Sequence, residues 1–291
     1  MIFGHRLHFT EFSELDYKDR GDDQAPDLFV SPHELPAFTF YTGYMPHSLQ
    51  EVRYGALKPF DETLGYRVSW TMEVRRTLQI AWLQDEGIFA YQKGERFTPE
   101  LLRFWLYHTF LPLHWQMQRR YQILHAGAVE IADRAAIFIG PSHAGKSTLT
   151  DYCVQRGRTL MADDTLAIEH FQDERYQAVA AWPYRRPYRQ VETLGEYTPR
   201  FVTQPLQIGA IFRLRPVSAD DPVTLTPLQG IDKFTALHQA QFIPLGFLKD
   251  RHFAFLGAFA HSQKVLEITV PRNLQRLEES YQTIYRRLTS S

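Results

Sequence analysis

The stretch Gly140-Pro141-Ser142-His143-Ala144-Gly145-Lys146-Ser147 sets two glycines with four residues between them and follows the second with a lysine and a serine. It fits the pattern G-x-x-x-x-G-K-[ST]. The chemistry of that pattern is anion binding. Glycines let the backbone curl until several N–H groups converge on one oxyanion, and the helix that follows presents its positive N-terminal end. In this reading Gly140, Ser142, His143, Ala144, Gly145, Lys146, Ser147 and Thr148 line a nucleotide's phosphates. Lys146 reaches the β- and γ-phosphates, and the Ser147 hydroxyl ligates magnesium. His143 contributes only its backbone N–H.

A phosphate cradle alone transfers nothing. Something must hold the metal, and something must take a proton from the acceptor. Asp163 and Asp164 close the apolar run Thr159-Leu160-Met161-Ala162. In parallel α/β sheets the C-terminal ends of strands line the ligand crevice, so two carboxylates there suit a base and a metal ligand. The plain alternative is a solvated Asp-Asp turn. His125 enters by register. With Ala132-Asp133-Arg134 as a three-residue hairpin turn, Ile131 faces Ala135, Gly127 faces Ile139 and His125 faces Pro141. His125 then supports a carboxylate, contacts the transferred phosphate, or is a structural histidine satisfying a loop carbonyl.

These groups need elements to position them. The runs 128–131 and 135–139 read as strands. A helix over 146–155 is stopped by Gly157. Strands at 159–162 and 166–168 bracket the Asp pair. Further on, strands are expected at 208–214 and 265–270, and helices at 231–240, 252–261 and 273–288. Upstream, 15–36 reads as a surface loop, and 38–41, 78–83 and 88–92 as strands, the last two joined by a turn at Asp85-Glu86-Gly87. A helix over 98–119 starts on a Thr98 cap and is kinked or split by Pro112. Alternating strands and helices argue an α/β chain. The expected division is an N-terminal α+β domain over 1–118 and a larger domain over 119–291.

Composition excludes other classes. The chain has 291 residues with a formal net charge of -1, which gives no electrostatic footprint for nucleic acid or a membrane surface. Its single cysteine, Cys153, can build neither an internal disulfide nor a cysteine zinc site, and sits mid-helix as core. No signal-peptide pattern opens the sequence, and the most apolar stretch, 101–117, is too short and polar to span a bilayer. The expected compartment is the cytoplasm.

The stretch Leu124-His125-Ala126-Gly127-Ala128-Val129, the glycine motif, and Arg156-Gly157-Arg158-Thr159-Leu160-Met161-Ala162-Asp163-Asp164 together resemble the catalytic domain of HPr kinase/phosphorylase. They look closer still to shorter HPr-kinase-like proteins, including kinases of lasso-peptide precursors. The resemblance is specific over 121–169 and loose beyond it. It implies a P-loop kinase domain of HPr kinase type that uses ATP and Mg2+, with Asp163 taking a serine's proton, Asp164 and Ser147 near the metal, and His125 in the active site. The implied acceptor is a serine of a small protein or peptide, and a homo-oligomer is compatible with it. The family's glycine-rich signature is missing. In its place stands the basic, aromatic segment Trp182-Pro183-Tyr184-Arg185-Arg186-Pro187-Tyr188-Arg189. Arg186 and Arg189 there, with Arg213 and Arg272, are candidate contacts for phosphate or an acidic substrate; a solvated loop and surface ion pairs are the alternatives. Two rival functions stay open: a P-loop kinase for a small-molecule hydroxyl, and a nucleotide-gated binding module in a peptide-modifying complex.

Overall fold

Runs of four to seven residues make up most of the strands, and strands such as Arg134–Ile139 and Thr159–Ala162 are buried along almost their whole length, as central strands are. The computed structural model describes residues 2–12, 27–47, 50–173, 175–186 and 192–290. Its contacts divide the chain into two units: one of residues 1–121, 189–194 and 245–248, the other of 122–188, 195–244 and 249–291. Among the described residues no helix is long and apolar enough to cross a membrane.

The first unit holds β1 (Arg6–Phe9), β2 (Asp27–Pro32), β3 (Thr39–Phe40), β4 (Met45–His47), β5 (Gln50–Ala56), β6 (Trp70–Val74), β7 (Leu78–Leu83) and β8 (Ile88–Lys93). They form one sheet in the order β1-β2-β8-β7-β6-β5-β3, with β4 on β5. The β1, β2 and β8 pairings are parallel and the rest antiparallel. The surface loop expected over 15–36 is corrected in part: 27–32 is strand β2, and 15–26 lies outside the described residues. The β7–β8 turn falls at the expected place, with Gly87 left-handed at φ 67°.

The 98–119 helix begins as expected, with the Thr98 side chain accepting from Leu101 N at 3.2 Å. It then divides into α1 (Pro99–Trp105), a π-turn (Leu106–Phe110) and α2 (Leu111–Met117). Pro112 explains the division. Its ring has no N–H to donate and would strike the His108 carbonyl. The helix widens just before it, and Leu111 N–H bonds back to Leu106 O. Phe110 then stacks flat on Trp70 at 4.1 Å.

The second unit holds β9 (Gln122–His125), β10 (Gly127–Ile131), β11 (Arg134–Ile139), α3 (Lys146–Gln155), β12 (Thr159–Ala162), β13 (Thr165–His170), β14 (Tyr176–Val179), β15 (Tyr184–Arg185), β16 (Glu196–Tyr197), β17 (Leu206–Val217), β18 (Leu225–Pro227), α4 (Gly230–Gln239), α5 (Lys249–Ser262), β19 (Val265–Pro271) and α6 (Leu277–Thr289). The main sheet runs β12-β10-β11-β17-β14-β13-β9, with β19 also on β17; β15 and β16 form a separate ribbon. The sheet is mixed. The β11, β17 and β19 pairings are parallel, and β10 is antiparallel to both β11 and β12. Val129, Ala136, Phe138, Phe212 and Ile268 from one face pack with Leu149 and Cys153 of α3 and with Tyr281 and Ile284 of α6. Cys153 is thus core, and burial pushes its thiol up to about 12.

The α3 helix ends as its sequence asks. Gly157 takes φ 85°, its N–H bonds to Val154 O, and Arg158 N–H reaches back to Cys153 O. That pair of hydrogen bonds is the one that closes a glycine-terminated helix.

Candidate functional site

Directions of travel build the site. Since β10 runs opposite to both β11 and β12, the latter two run the same way, and their C-terminal ends share one edge with the start of β10. From that edge emerge the 140–145 loop after β11, the Asp163-Asp164 corner after β12, and His125-Ala126 ahead of β10. The expectation of a strand in a parallel sheet is therefore corrected: β12 has an antiparallel neighbour, and the strand order restores the shared edge.

The hairpin register is corrected as well. Ala132 and Asp133 are both left-handed, at φ 52° and 57°, and close a two-residue turn. Ile131 consequently faces Arg134, and Gly127 faces Phe138. An alanine at positive φ is uncommon, which is why a longer turn reads more naturally from the sequence. Nor does His125 face Pro141. It belongs to β9, opposite Thr165 of β13. Its Nδ1 lies 3.1 Å from the Asp164 carbonyl oxygen and 3.3 Å from Asp164 Oδ1. The chain leaves one arm of the sheet for the other at His125-Ala126 and again at Asp163-Asp164, where Ala126 N–H bonds to Asp164 O at 3.1 Å.

In the loop Gly140 takes φ 149°, His143 64° and Gly145 97°. A Cβ on Gly140 would sit 3.0 Å from Leu214 O, whereas one on Gly145 would meet nothing within 4 Å. The first glycine is fixed by packing, and the second opens onto free space. Gly145 stands at the N-cap of α3 with no side-chain cap, so the first-turn N–H groups are not closed off by a side chain. Lys146 is buried, and its ammonium donates to Gly140 O at 2.8 Å and Pro141 O at 3.3 Å.

Asp163 is 7% exposed. Its Oδ2 accepts the main-chain N–H of Arg186 at 2.7 Å. Burial pushes its carboxyl above the ordinary carboxylate range. The Arg186 amide pulls it back down, the neighbouring Asp164 charge raises it, and the Ser147 hydroxyl and the Arg186 guanidinium lower it. The Arg186 guanidinium lies 3.7 Å from Asp164 Oδ2.

The structure thus brings together Ser147, Asp163, Asp164, His125 and Arg186. The other arginines sit elsewhere. Arg213 of β17 pairs with Glu267 of β19 at 3.3 Å, a carboxylate it shares with Arg215. Arg272 is exposed just past β19, its N–H bonded to Val217 O. Arg189 lies outside the described residues. Gly195 is absent from the sequence reading, and Arg185, expected only as one arginine of the basic segment, is held in an ion pair. Arg185 pairs with Asp151 of α3. Gly195, at φ 86°, would drive a Cβ to 2.2 Å from Arg185 O. A lone glycine gives only a weak sequence signal, and a main-chain donor gives none.

The donor set fits a small hard cation. Ser147 and Asp164 offer oxygen ligands, as magnesium prefers, and magnesium takes the rest of its shell from phosphate and water. Among the described residues no group of three or more His, Cys, Asp or Glu could hold a metal by itself.

The described chain is a mixed α/β protein whose second unit sets a glycine loop and helix beside a pair of aspartates. No protein-family model matches it, and no curated protein does. Among solved structures it is similar to the HPr(Ser) kinase/phosphatase from Coxiella burnetii. That likeness has 16% identity over 58% of this chain and 99% of the other, with a TM-score of 0.36.

Proposed function

We propose that the second unit is an ATP-dependent kinase domain of the HPr kinase type, transferring the γ-phosphate to the hydroxyl of a serine in a small protein or peptide. The observation that carries this reading is the shared edge of the sheet, where the Asp163-Asp164 corner after β12 and the glycine loop after β11 emerge together. That edge sets Asp163, the buried carboxylate of the pair, on the same side of the sheet as the start of α3, where the motif would seat the terminal phosphates.

In this reading the loop N–H groups and the end of α3 receive the phosphates. The Lys146 ammonium exchanges the Gly140 and Pro141 carbonyls for phosphate oxygens. Asp163 accepts the proton of the acceptor hydroxyl as its oxygen bonds to the γ-phosphorus, while the bond from that phosphorus to the β–γ bridging oxygen breaks and ADP leaves. A magnesium ion held by Ser147 and Asp164 would neutralise charge on the phosphates. His125 orients Asp164, through contacts at both its carbonyl and its carboxylate. The arginine pair of Arg213 with Glu267 favours a structural part for that residue rather than a phosphate contact. Residues 1–118 would recognise the acceptor or a partner.

The test is incubation with γ-labelled ATP, magnesium and the small proteins and peptides encoded beside the gene, with Asp163→Asn in parallel. Label on a serine, lost in the variant, is the expected result. Transfer that persists in Asp163→Asn would sink the assignment of the base. ATP binding without transfer would favour a small-molecule acceptor or a nucleotide-gated module.

A further inference from the structure

The proposed transfer depends on the aim of the Asp163 carboxylate, and the group that fixes it comes from outside the loop and its helix. Asp163 Oδ2 accepts the Arg186 main-chain N–H at 2.7 Å. A main-chain donor has no rotamers, so this bond sets the carboxylate plane as long as the backbone at Arg186 stays where it is.

That backbone is tied down on several sides. Just before it, Trp182 is buried and Ala181 N–H bonds to Met161 O of β12 at 3.1 Å. Arg185 of β15 pairs with Asp151 of α3 and with Glu196 of β16. Thr198 N–H returns to Pro183 O at 2.8 Å. The ribbon of β15 and β16 is therefore fastened to a strand of the main sheet, to α3 and to itself.

Gly195 is what lets it close. It is left-handed at φ 86°, and an added Cβ would fall 2.2 Å from Arg185 O and 2.6 Å from Arg186 Cγ. The nearer obstacle is backbone and cannot rotate away. Any side chain at position 195 must push the Arg185-Arg186 segment aside, and with it the N–H on Asp163.

We propose that the β15–β16 ribbon is a positioning device for Asp163, with the Arg186 N–H as its fixed donor and Gly195 as the residue that lets the donor come within reach. The proposal rests on Asp163 acting as the base. Its physical content is preorganisation: the carboxylate is aimed before the acceptor arrives, so no ordering is left for the moment of transfer.

The test uses the full chain with Gly195→Ala, Arg186→Ala and Arg186→Pro, measuring Mg-ATP affinity by calorimetry and ATP turnover. Gly195→Ala should lower kcat roughly 10- to 100-fold while the affinity for Mg-ATP stays within about twofold. Arg186→Pro, which deletes the N–H, should fall well below Arg186→Ala, which keeps it. The decisive readout is a cycle with Asp163→Asn. If Gly195 works through Asp163, Gly195→Ala adds no further loss in that background; a full multiplied loss in it, or wild-type turnover in Gly195→Ala alone, overturns the proposal. Should the wild-type chain turn over no ATP, the base assignment fails separately, and the amide resonance of Arg186 tests the positioning. It should move upfield on Asp163→Ala in the wild-type background and not in Gly195→Ala. An amide resonance indifferent to Asp163 would overturn the proposal.

Discussion

Lys146 concentrates the charge balance of the loop in one side chain. A buried ammonium must be hydrogen-bonded, and here its acceptors include the Gly140 and Pro141 carbonyls of its own loop. A neutral carbonyl is a poorer match for a cation than a phosphate oxygen, so an arriving polyanion gains a charge-assisted bond wherever it replaces one. Replacing Lys146 by Ala should weaken Mg-ATP binding roughly 100-fold, about 2.7 kcal/mol, as read by calorimetry. Unchanged affinity would mean that the loop holds no phosphate. Asp163→Asn separates the two halves of the site: the same calorimetry should show near-normal affinity, while transfer falls by a factor on the order of 1000.

At the scale of elements, the seat of α3 on the sheet depends on Gly127. A Cβ there would stand 2.3 Å from Thr150 Oγ1, a buried atom with no hydrogen-bond partner. Gly127→Ala should therefore cost about 1–3 kcal/mol in urea unfolding. Thr150→Ala should restore most of it, since the next nearest atom, Thr150 Cβ, stays at 3.5 Å. Purely additive losses in the double variant would show that the contact is not what makes position 127 a glycine. Where local chemistry decides an element, the sequence reads well. The Thr98 cap, the Gly157 stop and the strand 159–162 appear at their expected places. Where partners distant in sequence decide, it reads poorly. Strand β5, Gln50–Ala56, lacks a clean apolar alternation and is matched across the sheet instead, by Arg53 opposite Glu73 and over the Phe40 ring at 3.8 Å. The residue types of the candidate site are legible because the glycine motif and the Asp pair are short runs. Their supports are not, since Arg186 acts through a main-chain N–H and Gly195 by lacking a side chain.

At the scale of the whole molecule, the two units have cores of different chemistry, and acid should tell them apart. The first unit buries imidazoles among its aromatics. His5 stacks on Trp115 at 4.6 Å, and His114 lies against Trp82 at 4.6 Å and Phe89 at 5.0 Å. His5 Nδ1 and His114 Nε2 are buried without a hydrogen-bond partner. Burial lowers His5 to about 4, with Arg120 adding to the effect, and lowers His114 to about 3, with His5 adding. In the unfolded chain both titrate near 6.5. Below about pH 6.5 the unfolded chain takes up protons that the folded one refuses, so stability is full above that pH and is lost as pH falls toward the folded values. The slope reaches up to about 1.4 kcal/mol per pH unit for each histidine. His47, also lowered by burial, adds in the same direction. Of the five tryptophans, Trp70, Trp82, Trp105 and Trp115 lie in this unit, so fluorescence reports chiefly on it. Urea midpoints followed by tryptophan emission should drop between pH 7 and pH 5, a window in which most carboxylates stay ionised. His114→Leu should flatten that drop by one histidine's share, whatever it does to stability at pH 7. A midpoint that holds steady over those two pH units would mean that the imidazoles carry their protons in the folded core.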